Sequence, residues 1–275
     1  MWQKYDLNSK RAKQEYQHVS GKFGAYVYHN DLDFSQYSPA YLASNENVGD
    51  IVGLLKPAGK TALTVMASGD IPLFLSGYGA RRVDTFDISI NAYLVMRIKM
   101  NMLKSNFEYK SYKTVLDGLS DAPDFMNSVS WDVVYDTFQA EPDIMQYLRD
   151  MNGYGIFGAV PGNPYWNMGD AEYVRIKKFV PKSYKFIWTD LYKLPERIGN
   201  KKYDIIYLSN ILQYAGDDSK IAKTVDTLQK HLNSRGVIVL DSLNPMYSGE
   251  YDFLENLHRD VIFDANACSV FLKTR

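Results

Sequence analysis

From residue 60 onward the chain alternates short, largely apolar runs with segments of helical periodicity. Thr61–Ala67 ends at Ser68-Gly69-Asp70, which predicts a buried strand entering a tight turn. Ile71–Tyr78 carries apolar residues at helical spacing and is closed by Gly77 and Gly79. Arg82–Asp87 predicts the next strand, ending in an acid. Ser89 and Asn91 stand where they can start a helix over Ala92–Leu103, in which Leu94, Ile98 and Met102 recur at four-residue spacing. The same grammar resumes at residue 183. Strands are predicted at Tyr184–Asp190, Tyr203–Asn210 and Gly236–Asp241, with an amphipathic helix over Ile221–Leu232 stopped by Asn233-Ser-Arg-Gly236. Asp260–Asp264 and Ala267–Lys273, joined by Ala265-Asn266, predict a hairpin.

Alternating strands and helices with near-continuous apolar strands predict an α/β fold, a doubly wound and mostly parallel sheet covered on both faces. The C-terminal hairpin adds an antiparallel element. Residues 60–104 and 183–275 form the predicted core, and 105–182 form an insertion. Residues 1–59 form a mostly helical leader. Within the insertion the pattern predicts a helix at Pro142–Met151 and a strand at Trp131–Tyr135. A loop rich in glycine, proline and aromatic residues runs from Gly153 to Trp166.

Composition narrows the function classes. A chain of 275 residues is one large domain or one domain with an insertion, and the pattern selects the second. With 31 basic against 32 acidic residues, a broad basic field is absent and no nucleic-acid partner is expected. The single cysteine, Cys268, excludes a disulfide framework, and its place in an apolar strand predicts an inert core thiol. No run approaches the roughly 18 apolar residues of a spanning helix. The first twenty residues hold no signal-peptide core, so the expected location is cytoplasmic. No His/Asp/Glu grouping has metal-ligand spacing.

In open α/β sheets ligands lie outside the carboxyl ends of the strands, where strand order reverses. Four predicted strands end there in polar groups: Ser68-Gly69-Asp70, Asp87, Asp190 and Ser209-Asn210, with Asp241 a fifth. Gly69 lets the backbone approach a ligand, and the following helix offers free N–H groups. Asp87 follows Gly69 by 18 residues, near the spacing of about 20 at which an acid accepts from ribose hydroxyls. The second and third glycines of a dinucleotide site are missing. Asp70 would set a negative charge where a pyrophosphate belongs, whereas an ammonium or a sulfonium would suit it. These residues favour S-adenosylmethionine over NAD.

The order Gly69, Asp87, Asp190, Asn210 and final hairpin resembles the class I S-adenosylmethionine-dependent methyltransferase fold, a Rossmann-like sheet whose last strand is antiparallel. The resemblance implies that Ala67, Ser68, Gly69 and Asp70 form the first-strand cofactor loop and that Asp87 binds ribose. It implies that Asp190 and Leu191 face the adenine and that Leu208-Ser209-Asn210 lies by the reactive centre. More narrowly, Ala67–Asp70, Val83–Asp87 with Asn91, the long insertion and Leu208–Asn210 resemble the 3-amino-3-carboxypropyl transferases that make betaine-lipid headgroups.

The expected function is therefore transfer of a 3-amino-3-carboxypropyl group from S-adenosylmethionine to a small-molecule or lipid-like acceptor, by direct in-line displacement. Methyl transfer is the alternative on the same fold, and a non-catalytic binding protein is the alternative of another class. Asn210 and Tyr214 are the candidate catalytic residues, with Asp241 and His29 as further candidate bases. Tyr154, Tyr165 and Trp166 are candidates to line an acceptor pocket. Lys177, Lys178, Lys182 and Lys185 form a solvated face, or one that greets a phosphate group or an anionic membrane surface.

Overall fold

The structure is a computed structural model that describes residues 40–44, 46–120, 129–150, 157–158, 168–214, 218–242, 260–265 and 268–274. In chain order its first elements are β1 (Ala40–Tyr41), α1 (Val48–Leu55), β2 (Thr61–Val65), α2 (Asp70–Gly77), β3 (Arg82–Asp87) and α3 (Ile90–Lys104). Then come α4 (Tyr109–Ser120), α5 (Val129–Phe138), α6 (Pro142–Asp150), β4 (Phe157–Gly158) and α7 (Asp170–Phe179). The remainder is β5 (Lys185–Trp188), α8 (Leu194–Ile198), β6 (Tyr203–Ser209), a 3₁₀ turn at Ile211–Tyr214, α9 (Asp218–Gln229), β7 (Leu232–Ser242), β8 (Asp260–Ala265) and β9 (Cys268–Thr274).

β2 is buried at every position because it lies mid-sheet, parallel to β3 on one side and to β6 on the other. A strand covered on both faces has no solvent face, which is why its sequence does not alternate. β5 continues the sheet beyond β3 and β7 continues it beyond β6, both in parallel. β9 pairs antiparallel with β7, and β8 pairs antiparallel with β9. The resulting order is β5-β3-β2-β6-β7-β9-β8. Of the expected hairpin, Asn266 of the turn and Ala267 at the start of the second strand lie outside the described residues.

The helices cover this sheet. α2 packs against α1 and against α7. The second contact is close: a Cβ on Gly77 would stand 2.7 Å from Ile176 Cγ1. α3 buries Leu94, Ile98 and Met102, the apolar stripe read from its sequence, and Ile90 and Val95 with them. Among the described residues, no helix is long and apolar enough to cross a membrane.

Two expectations are corrected. Trp131–Tyr135 is not a strand but part of α5. Ser130, Val133, Val134 and Phe138 are buried while Asp132, Tyr135 and Asp136 are exposed, a period of 3.6 rather than 2. The helix expected at Ile221–Leu232 starts earlier and ends at Gln229. Leu232 already belongs to β7, where Tyr203 pairs with Leu232 and Ile205 with Val237. The intervening Asn233–Gly236 bulges within the strand, with Arg235 at φ 65. Residues 1–39 of the expected helical leader lie outside the described residues, as does most of the Gly153–Trp166 loop. Phe157 and Gly158 of that loop form β4, parallel to β1.

Candidate functional site at the carboxyl edge of the sheet

From β2 the chain winds outward through β3 to β5, then returns to the opposite side of β2 for β6 and β7. The reversal between β2 and β6 is a topological switch point, and in open α/β sheets ligands bind outside the carboxyl ends of the strands at such a point. Residues 66–70, Asp87, Thr189–Leu191 and Ser209–Asn210 all follow strands that end on this edge.

The loop after β2 turns sharply. Ala67 has φ 45 and Gly69 has φ 83, the left-handed region. A side chain at Gly69 is blocked twice, by that angle and by Met96, whose Sδ would be 2.7 Å from a Cβ. Asp87 locks the loop to the end of β3. Its Oδ2 accepts the Ala67 N–H at 2.8 Å and its Oδ1 accepts the Ser89 N–H at 2.8 Å. Burial pushes the Asp87 carboxyl up to about 6, against the backbone N–H bonds of Ser89, Ala67 and Ile88, which favour the charged form. Trp188 Nε1 donates to the Ile88 carbonyl at 2.8 Å, tying the end of β5 to the same corner.

Asp70 is present at the start of α2, but its charge already has a partner. Lys99 Nζ on α3 lies 2.5 Å from Asp70 Oδ1, with side-chain exposures of 1% and 13%. Asp70 Oδ2 accepts the Ser44 N–H at 2.7 Å and the Ser68 hydroxyl at 3.0 Å. Asp70 is expected to balance a ligand cation; in this geometry Lys99 stands beside the same carboxylate, so the two charges face the site as a pair. Burial pushes the Lys99 ammonium down and Asp70 opposes that. The Tyr112 hydroxyl on α4 is buried and has no hydrogen-bond partner among the described residues. Burial, then the Asp70 charge, push its pKa up.

A residue that the sequence pattern did not single out occupies the β6 side. Glu46, between β1 and α1, is 1% exposed. The Tyr207 hydroxyl donates to Glu46 Oε2 at 2.7 Å, and the Ser209 hydroxyl donates to Glu46 Oε1. Burial pushes this carboxyl up, and the two hydroxyls only partly offset that. Ser209 is itself in the left-handed region, at φ 58, with its Oγ also 3.2 Å from Asn210 Oδ1. The signal that could have found Glu46 is weak: one acid beside Asn47 ahead of a helix reads as an ordinary capping sequence.

Of the remaining candidates, Asn210 is buried directly after β6 and Leu191 is buried after β5. Asp190 is partly exposed, and its Oδ1 accepts the Lys193 N–H at 2.8 Å, which starts α8. Tyr214 closes the 3₁₀ turn. The four-residue spacing from Asn210, which shares a face in an α-helix, does not do so at three residues per turn. The side chains of Tyr214 and Asp241 lie outside the described residues, as do His29, Tyr154, Tyr165 and Trp166. Lys177 is held at the Phe107 carbonyl, 2.9 Å away. Among the described residues no group of three or more His, Cys, Asp or Glu could hold a metal.

No family model matches the sequence, and no curated protein matches it by sequence. Similar solved structures are methyltransferases. The rRNA methyltransferase aviRa from Streptomyces viridochromogenes is 10% identical, over 92% of this chain and 94% of that one, at a TM-score of 0.48. The N-methyltransferase NodS from Bradyrhizobium japonicum WM9, in complex with S-adenosyl-L-homocysteine, is 11% identical over 95% and 98%, at 0.44. The ribosomal protein L11 methylase from Lactobacillus delbrueckii subsp. bulgaricus is 12% identical over 83% and 76%, at 0.43. Proteins named for rRNA and ribosomal-protein methylation are among these likenesses, and the expectation of no nucleic-acid partner, which rests on net charge alone, is withdrawn. A net charge near zero sums over the whole chain and leaves a local basic face open.

Proposed function

We propose that this protein binds S-adenosylmethionine in the crevice between β2 and β6 and transfers a group from it to an acceptor, methyl transfer being the reading the site supports best. The observation that carries the proposal is the joint placement at the switch point of a glycine-hinged loop, the buried Asp87 at the end of β3 and the tightly turned Ser209-Asn210 at the end of β6. A carboxylate has about four acceptor positions. Asp87 uses its two oxygens on backbone N–H groups and keeps lone pairs for a pair of ribose hydroxyls. When bound, S-adenosylmethionine supplies an electrophilic carbon on a sulfonium that leaves as a neutral thioether.

The residues then act by positioning and by excluding water. Ala67–Gly69 and Asp87 hold the nucleoside end, and Ser209 and Asn210 face the reacting end. In-line displacement needs no covalent intermediate on the protein. Ala67, Ser68, Gly69, Asp70, Asp87, Asp190, Leu191, Ser209 and Asn210 are the proposed ligand-contacting set. Asn210 and Tyr214 remain proposed catalytic residues.

Asp87→Ala is expected to weaken S-adenosylmethionine binding by about 2–3 kcal/mol, since charge-assisted bonds to ribose are lost. Equilibrium dialysis reads this, and unchanged affinity would place the nucleoside elsewhere. The finer reading, transfer of a 3-amino-3-carboxypropyl group, is separated by product: methylthioadenosine supports it, and S-adenosylhomocysteine supports methyl transfer. A binding protein without catalysis would form neither when supplied with cell extract as the source of acceptor.

A further inference from the structure

Three acids are buried among the described residues: Glu46, Asp84 and Asp87. Each must be stabilised there, because an uncompensated carboxylate in a protein interior is costly. Asp84 has cations beside it, Lys201 Nζ at 3.0 Å and Arg82 Nε at 3.4 Å, together with the Tyr203 hydroxyl at 2.9 Å. Asp87 accepts backbone N–H groups that also hold the turn. Glu46 differs. Its side-chain partners among the described residues are the two neutral hydroxyls of Tyr207 and Ser209, and no lysine, arginine or histidine pairs with it.

Its position is as specific as its chemistry. Ser44 and Glu46 stand on the two sides of the switch point: the Ser44 N–H reaches Asp70 after β2, and the Glu46 carboxylate reaches Ser209 at the end of β6. With Asp70 paired to Lys99, Glu46 is, among the described residues, the acid at this edge that lacks a cationic or backbone N–H partner for its side chain. Strands in a sheet lie about 4.8 Å apart. The end of β6 is therefore about 10 Å from the end of β3, where Asp87 stands. That is the direction in which a nucleoside held by Asp87 would extend its positively charged sulfur.

We infer that Glu46 is the residue that recognises the sulfonium charge of S-adenosylmethionine, its carboxylate oriented toward the β6 end of the crevice by Tyr207 and Ser209. The inference rests on the proposed binding of S-adenosylmethionine to this crevice. A ligand cation would complete the compensation that two hydroxyls leave unfinished. It would also favour the positively charged donor over the neutral thioether product after transfer.

The test compares S-adenosylmethionine with S-adenosylhomocysteine, which differ only in the methyl group on sulfur and the positive charge it brings. Calorimetric affinities are measured for the wild-type chain and for Glu46→Gln, near-isosteric and uncharged; the hydroxyls of Tyr207 and Ser209 can donate to its oxygen and accept from its nitrogen. The expected result is a loss of at least about tenfold for S-adenosylmethionine, or about 1.4 kcal/mol, with S-adenosylhomocysteine changed less than about threefold. Equal loss of both ligands overturns the inference and makes Glu46 a structural staple. No change in either also overturns it. If Glu46→Gln does not fold, Glu46→Asp keeps the charge at shorter reach and is expected to keep the wild-type ratio of the two affinities within about threefold; a shifted ratio contradicts the inference. A wild-type chain that binds neither ligand is a different outcome: it removes the proposed function itself.

Discussion

Gly69 shows how much a single position constrains. Its φ of 83 and its closeness to Met96 Sδ act in the same direction, so Gly69→Ala meets both a backbone and a steric penalty. The expected loss is about 1–3 kcal/mol of unfolding free energy, read from urea melts. Lys99 makes a different kind of demand. Lys99→Met leaves the Asp70 carboxylate without its ion pair in a mostly buried place, and breaking such a pair costs about 3–5 kcal/mol. Adding Asp70→Asn to Lys99→Met is expected to recover much of that loss. A double variant as unstable as the sum of both singles would show that the pair is not coupled. At this scale the sequence was legible where a residue type served a local geometry, as at Gly69 and Asp87. It was not legible at Asp70, because the partner that takes its charge lies 29 residues away on another helix. Nor was it at Glu46, which meets Ser209 across 163 residues.

Among the elements, the end of β3 couples ionisation to stability. The folded-state carboxyl of Asp87 is raised from an ordinary 3.8 to about 6 by burial, so the folded protein holds this proton more tightly than the unfolded chain does. Between those values the native state binds more protons, and unfolding free energy falls as pH rises. The stabilisation is fully present below about 4 and is lost as pH passes through about 6, an effect of up to about 3 kcal/mol at 1.36 kcal/mol per unit. Asp87→Asn cannot titrate, so the stability difference between wild type and variant is expected to shrink over that window; a constant difference would contradict the raised value. Helix contacts give a second prediction. Gly77→Ala forces a methyl into Ile176 between α2 and α7, an overpacking worth about 1–3 kcal/mol. The strands of the core were legible because mid-sheet burial demands unbroken apolar runs. α5 was not, since Val133 and Val134 beside Trp131 satisfy a strand template over a short window and only the wider burial period separates the two.

For the whole molecule, the reversal of strand order between β2 and β6 determines where everything else must be. Strands contributed from residues 61 to 209 end on one edge, and acids far apart in the chain are gathered there. The residues around the central strands could be assigned from sequence because each acid followed a recognisable strand. The acceptor side could not, because nothing in a run of tyrosines and a glycine-rich loop states which face it will cover. Nor does net charge settle a partner, since charge acts through its local distribution. The central claim is that this edge holds S-adenosylmethionine, and isothermal titration calorimetry of the wild-type chain with that compound tests it most directly. The account predicts saturable binding at one site per chain with a dissociation constant below about 100 μM, or at least about 5.5 kcal/mol of binding free energy. No heat of binding at millimolar ligand would contradict it.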